Sequence, residues 1–350
     1  MNTKNVSLSA NDKMALMSNM HTMLAAGIPI LETIDSLLED AKGNQKKLLE
    51  ELKQDLIQGQ HMYFTFSKFP KIFDNVTVNI IKASEEAGRL DITLKDITQN
   101  IRKEMEFNDK IRSALIYPFF IMGVFIAVLT VILVVVVPRI STVFVRLNIE
   151  LPLPTKIMIF MSNILLNYTI LVILGLAALI SGTIYLYKSN KKLFINGITA
   201  MPYVSKLAQE IDLTRFTRSL YLLLTAGIPI TNALELSQDV VVKQNVRRAI
   251  IHIKNVVLSG KKLSEGLKDN KRIVPPIMIK IIEAGEKSGT LDQSMADVSE
   301  YLDYQVSSTL KTLTALIEPI MLVLVGILVG GMMLAIIAPI YNLIGQLGPR

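Results

Sequence analysis

Apolar residues follow two patterns along this chain. In the first they recur with the period of a half-buried helix. Leu90, Leu94, Ile97, Ile101 and Met105 step by four, three, four and four, and Leu291, Met295, Val298, Leu302 and Val306 repeat those steps. Side chains so spaced share one helix face, which predicts a stripe packed against neighbouring helices. Ile30, Ile34, Leu37 and Leu38 mark another such face. No convincing run alternates apolar and polar residues, so essentially no sheet is predicted. The second pattern is unbroken. Residues 115–137 and 164–187 contain no charge, and 316–337 contain one, Glu318. Each stretch is long enough for a bilayer, which a helix of about 20 residues crosses.

The chain also repeats itself. Ala26-Gly27-Ile28-Pro29-Ile30 returns 200 residues later as Ala226-Gly227-Ile228-Pro229-Ile230. At an offset of 201, Ile80–Asp91 returns as Ile281–Asp292, Ala114-Leu115-Ile116-Tyr117-Pro118 as Ala315-Leu316-Ile317-Glu318-Pro319, and Pro138 as Pro339. Four agreements at nearly one offset identify a duplication. Each copy is a helical domain followed by a span, so two in tandem need one extra span to bring the chain back. The predicted order is therefore domain 1–113, span 114–138, loop 139–163, returning span 164–187, domain 188–312, span 313–339 and tail 340–350. The repeat is parallel, unlike the inverted repeats of many transporters.

Within each copy, Gly27 and Gly227 are predicted to end one helix, with Pro29 and Pro229 in the first turn of the next. Gly88 and Gly289 are placed at a second helix end, with Leu90 and Leu291 opening the long helix that follows. Pro118 and Pro319 lie about one turn inside their spans, where proline kinks a helix or marks its restart. Pro138 and Pro339 are placed at the span ends. The last helix of each domain is predicted to run almost directly into its span, coupling domain tilt to the membrane helix.

Composition fits this division: 51% of residues are hydrophobic, yet 19% are charged. The absence of cysteine excludes disulfides, thiolate nucleophiles and Cys-ligated metal. The net charge of +7 would suit nucleic acid, but no basic-aromatic cluster accompanies it. Lys and Arg instead read as topology signals that hold cytoplasmic segments against anionic lipid. Arg102, Lys103, Lys110 and Arg112 precede the first span, Lys188, Lys191 and Lys192 follow the second, and Lys311 precedes the third. Arg139, Arg146 and Lys156 are spread over the first loop, and the tail has only Arg350. This places the N-terminus and both domains in the cytoplasm and the C-terminus outside. Met1–Asp12 is polar and lacks the apolar core of a signal peptide.

Catalytic patterns are missing. Ser259-Gly260-Lys261-Lys262 has the Gly-Lys pair of a phosphate loop, but Asn255 stands where its first Gly belongs and Lys262 where Ser or Thr belongs. No G-x-G-x-x-G, HExxH or G-x-S-x-G occurs, and His21, His61 and His252 are isolated. Glu85, Asp91, Glu286 and Asp292 recur in both copies around Gly88 and Gly289. They could hold a divalent cation such as calcium, which needs only oxygen ligands, or a partner's cation. Alternatively they belong to helix termination, with Asp near the start of the next helix favouring its dipole. Glu318 stands where the first copy has Tyr117, and a carboxylate in a span is a functional flag. Small residues at Gly326 and Gly330 have the spacing of a helix-packing motif.

The A-G-I-P-I turns, the I-x-A-x-E-x-x-G-x-L segment of the second copy, the A-L-I-x-P span starts and Leu151-Pro152-Leu153-Pro154-Thr155 together resemble the type II secretion F family. The first copy departs from the pattern, reading Ala83-Ser84-Glu85 where the second reads Ala284-Gly285-Glu286. The resemblance covers nearly the whole chain. It implies an all-α integral membrane protein of the bacterial inner membrane, with two homologous cytoplasmic helical-bundle domains and three transmembrane helices. It further implies a non-enzymatic platform that contacts a cytoplasmic assembly ATPase, pilins or pseudopilins and other inner-membrane components, and that forms homo-oligomers. Metal is associated with the cytoplasmic domain of some members. The alternative from the residues alone is a small oligomeric transporter or channel, suggested by the repeat and Glu318.

Overall fold

A computed structural model describes residues 3–146, 153–171, 174–175, 177–178, 181–183 and 202–347, and helix is the only regular structure among them. After a 3-10 turn at Thr3–Asn5 the first copy forms α1 (Ala10–Ala25), α2 (Ile30–Asp40), α3 (Gly43–Ile57), α4 (Met62–Ser67), α5 (Asn75–Glu86) and α6 (Leu90–Val131). A π-helical turn (Ile132–Val136), α7 (Val137–Arg146) and α8 (Leu153–Asn167) follow. The second copy forms α9 (Pro202–Thr225), α10 (Ile230–Ser237), α11 (Gln244–Leu258), α12 (Leu263–Lys268), α13 (Pro276–Ser288) and α14 (Leu291–Leu347). Helices α1–α6 and α9–α14 correspond in order, so the duplicated object is a six-helix unit.

The chain divides into two compact units. One joins Met1–Lys110 to Pro202–Ser308, so both helical domains fold together. Its core is drawn from every helix. Leu94, Met295, Val298 and Leu302 are fully buried, Ile97 and Val306 nearly so, and Leu90, Met105 and Leu291 partly buried, as the stripes predict. Each fully buried aliphatic side chain contributes about 1.5–3 kcal/mol relative to exposure. Phe66 and Phe73 stack with ring centroids 3.9 Å apart in the first domain. Local sequence sets the helix starts. Ser9 Oγ accepts from Asp12 N–H at 3.1 Å and Asp74 from Thr77 N–H at 2.7 Å, each satisfying a first-turn donor that has no intrahelical partner.

Pro29 and Pro229 lie one position earlier than predicted. Each is an N-cap with extended ψ, 148° and 141°, and the Pro29 carbonyl accepts the first helical bond from Thr33 N–H at 2.9 Å. The prolines within the long helices differ more from expectation. Helix α6 continues through Pro118, and α14 through Pro319 and Pro339 without a restart. Pro138 lies inside α7, and much of the segment 139–163 between the first two predicted spans is helical in α7 and α8.

The second unit comprises Ile111–Met201 and Thr309–Arg350. Here two carbonyls lose a donor to proline, and at one of them a hydroxyl from another helix replaces it. In α-helical register Pro118 should donate to the Ala114 carbonyl but has no N–H. The Thr314 hydroxyl, which bonds Leu310 O at 2.9 Å, also reaches Ala114 O at 3.4 Å. In the π turn Val137 N–H bonds Ile132 O, so the next bond in that register would run from Pro138 to Leu133 O. Buried Ser162 of α8 supplies the missing donor, its Oγ 2.6 Å from Leu133 O. Neighbouring Ser and Thr side chains keep proline tolerable in this way where water is excluded.

Within Leu90–Thr142 and Leu291–Gly331 lie two helices long and apolar enough to cross a bilayer. Few of these apolar residues are covered by the chain itself: Phe119 is 75% exposed and Ile327 68%. Leu151 and Pro152, much of the returning span 164–187, the flanking Lys188, Lys191 and Lys192, and Arg350 lie outside the described residues. Glu318 is exposed on α14.

The difference between Ala83-Ser84 and Ala284-Gly285 has a steric cause. A Cβ on Gly285 would lie 2.0 Å from Ser294 Oγ and 2.7 Å from Ser294 Cβ. In the first copy Ser84 fits, buried, with its hydroxyl donating to Ile81 O at 2.8 Å. Gly285→Ala is therefore expected to cost about 1–3 kcal/mol through overpacking. The thermal midpoint of the detergent-solubilised chain should fall by roughly 2–10 °C. Adding Ser294→Gly should recover part of the loss, and an unchanged midpoint for Gly285→Ala would contradict this packing.

Candidate functional site

The carboxylates that flank the second glycine of each copy separate into two roles. Gly88 and Gly289 adopt left-handed φ values of 66° and 75°, which glycine accepts without the Cβ penalty, and each ends its helix. Three residues earlier, Glu85 turns back across the domain. Its two oxygens accept from Met62 N–H at 2.7 Å and Tyr63 N–H at 2.9 Å, the first donors of α4. Glu286 does the same for α12, accepting from Leu263 N–H at 2.6 Å and Ser264 N–H at 3.1 Å. Asp91 and Asp292 stand in the first turns of α6 and α14, where a negative charge meets the positive helix end. His21 Nδ1 lies 2.9 Å from the Asp91 carbonyl oxygen, not from its carboxylate. Among the described residues no three His, Asp or Glu side chains converge as a metal site. Gly27 and Gly227, with φ of 82° and 81°, and the caps Pro29 and Pro229 form matching turns before α2 and α10.

What the sequence did not single out is the link between the two copies. Arg218 of α9 has a side chain only 7% exposed. Its Nη1 donates to Glu104 of α6 at 3.0 Å, and its Nη2 reaches both oxygens of Asp303 of α14 at 2.8 and 2.9 Å. The guanidinium lies 5.3 Å from the Phe107 ring centroid, within cation–π range. One turn away, Arg215 Nη2 donates to Asn108 at 3.1 Å and Nε lies 3.3 Å from Glu104. One segment of α9 thus grips the two helices that continue into the apolar segments. The planar five-donor fork of arginine suits this, where lysine would offer a single point charge.

These helices border a polar cavity of about 590 Å³, lined by acidic Asp96, Glu106, Asp297, Glu300 and Asp303 and by Lys103, Lys110 and Arg218. Burial pushes the Asp303 carboxyl above its ordinary value, outweighing the opposing pull of Arg218 and Lys110. Burial likewise raises Asp96. The clamp occurs once. Ser18 occupies the place of Arg218 in the first copy, Gln305 that of Glu104 in the second, and Arg102 that of Asp303. Those breaks in the internal repeat are the signal by which the sequence could have revealed it.

Two measurements follow. Glu286→Ala should cost about 1–2 kcal/mol by stranding two helix-start donors. Calcium should not alter the melting of the wild-type chain or of this variant. A calcium stabilisation that disappears with Glu286→Ala would instead assign the carboxylate to a cation. For Asp303 the raised value inverts the usual aspartate behaviour. Its contribution is present below the ordinary carboxylate range and is lost as pH rises through the raised value. Asp303→Asn should therefore gain stability relative to wild type as pH rises from about 4 toward neutrality. The opposite trend in melting temperatures would mean that Arg218 outweighs burial.

Comparison with known proteins agrees with this architecture. The sequence profile of the type II secretion system (T2SS) protein F family matches twice, at residues 16–138 and 216–339. The type IV pilus assembly protein PilC of Myxococcus xanthus is 28% identical over 329 residues, 93% of this chain and 79% of that protein. Its namesake in Thermus thermophilus is 29% identical over 330 residues, 93% of this chain and 81% of that protein. The type II secretion system protein F of Pseudomonas aeruginosa is 27% identical over 342 residues, 96% of this chain and 84% of that protein. With both matches falling on the two copies of the six-helix unit and its outgoing helix, the chain belongs to the type II secretion system protein F family.

Proposed function

We propose that this protein is the inner-membrane platform of a type IV pilus or type II secretion machine. In that role it couples a cytoplasmic assembly ATPase to pilin or pseudopilin polymerisation, and so to pilus growth, protein export or DNA uptake. The observation that carries the proposal is the pair of helices α6 and α14. Each begins among the packed helices of the two helical domains and continues unbroken into a segment apolar enough for a bilayer. Continuous helical hydrogen bonding resists bending more than a jointed loop does, so movement imposed on the helical domains would be passed along these helices. Arg218 grips both near their polar ends. No phosphate loop is present in the sequence, so the energy comes from a partner.

The same reading sets the topology. The N-terminus and both helical domains face the cytoplasm. Residues 114–138 and 313–339 lead outward, 164–187 return, and anionic lipid holds the flanking Lys and Arg. The chain works as a homo-oligomer at the base of the fibre, without catalysing a reaction. Deletion from its native host should abolish pili or pseudopilus-dependent export, and the wild-type copy should restore them. The purified chain alone should not hydrolyse ATP. Normal piliation and secretion in the deletion strain would overturn the proposal.

A further inference from the structure

The contact between the two copies is head-to-tail. Helix α5 of the first packs on α9 and α10 of the second, while the reciprocal contact of α13 with α1 and α2 is not made to a comparable extent. Burial at equivalent positions records the asymmetry. Ser219 and Leu222 of α9 are buried, but Asn19 and Thr22, their counterparts on α1, are exposed. Val76 of α5 is 6% exposed, whereas its counterpart Ile277 of α13 is 38% exposed. A head-to-tail contact uses a different surface on each partner and so leaves one unused surface at each end.

The two unused surfaces are complementary in charge. Helix α2 carries exposed Glu32, Glu39 and Asp40 with no basic residue, while its fourth acid, Asp35, is paired with Lys53 of α3. Lys280 of α13, with Lys271 and Arg272 in the preceding turn, is exposed and makes no ion pair among the described residues. Each side also exposes one aliphatic residue, Leu31 and Ile277.

We propose that α13 and its preceding turn dock on α1 and α2 of a second copy of this chain, continuing the internal contact from one molecule to the next. Copies then associate as alternating first and second domains. This rests on the platform reading only in taking both domains to stand on the same side of one membrane. The contact between copies is weaker than the internal one. Ser18 replaces the clamping arginine, Gln305 replaces its carboxylate partner, and beside half-buried Ser18 the exposed face of α1 offers small or polar Ala15, Asn19 and Thr22. Such a face is soluble when unpaired, which suits a joint that forms and opens.

The test uses the natural absence of cysteine. Thr22→Cys and Ser288→Cys are combined in the full-length chain in its native membrane and treated with a flexible bis-maleimide. The pair transfers to neighbouring copies the juxtaposition of Ala87 with Leu222, which line one small internal cavity together with Thr225. A ladder of dimers and higher multiples is expected. The Ala87→Cys, Thr225→Cys pair should give an intramolecular product only. Changing Glu32, Glu39 and Asp40 to Lys should abolish the ladder, and adding Lys271→Glu, Arg272→Glu and Lys280→Glu should restore it. Absence of a ladder while the internal pair reacts would overturn the proposal. So would equally efficient dimers from Thr22→Cys alone, the mark of a symmetric contact. Piliation or secretion measured in the same strains separates the two ideas, because an assembled machine without the ladder removes this contact and leaves the platform reading standing.

Discussion

A guanidinium held away from water needs carboxylates to meet it, and in this protein each copy supplies one. Arg218 comes from α9, Glu104 from the first copy's long helix and Asp303 from the second copy's. Neither six-helix unit contains the whole set. Removing one member would leave a buried charge uncompensated, which is far costlier than replacing the set with apolar residues. The ion cluster is therefore better understood as a device of register than as a source of stability. It admits one placement of α9 against α6 and α14.

That constraint explains how the duplication diverged. Two identical units joined head-to-tail cannot keep identical sequences, because one surface of each is covered and the corresponding surface of the other is not. The covered face of α9 carries Arg218, Ser219 and Leu222, and the open face of α1 carries Ser18, Asn19 and Thr22. Residues that serve each unit internally stayed alike. Glu85 and Glu286 cap α4 and α12 with the same two bonds, and Gly88 and Gly289 take the same left-handed turn. At these positions the internal repeat sorts residues by scale: the matching ones hold a domain together, and the mismatched ones join the two domains.

The sequence revealed what depends on neighbours a few residues away. The stripes of α6 and α14, the glycine turns and the apolar segments all follow from local periodicity, and the structure places the stripes, the turns and two of the three segments as expected. Glu85 was visible as a repeated carboxylate, but its partners at Met62 and Tyr63 lie more than twenty residues upstream, beyond the reach of any capping pattern. Arg218 was less legible still, since its partners Glu104 and Asp303 are 114 and 85 residues away. The one-residue shift of Pro29 has a local reason: extended ψ keeps it outside the helix, while its carbonyl already accepts the first helical bond.

The prolines of the long helices show why local rules failed where the chain turns apolar. In water, a carbonyl stranded by proline is hydrated and the helix can stop there. In hydrocarbon that escape is closed, so a helix must either avoid proline or find another donor. Thr314 reaches Ala114 O, and Ser162 reaches Leu133 O. Each hydroxyl comes from a different helix, and neither is adjacent in sequence to the proline it serves. Pro138 therefore marks a site where a second helix is bonded to the first, at a carbonyl a regular helix would have closed. Residues that read in sequence as interruptions thus lie within continuous helix, and at Pro138 the freed carbonyl ties one apolar helix to another.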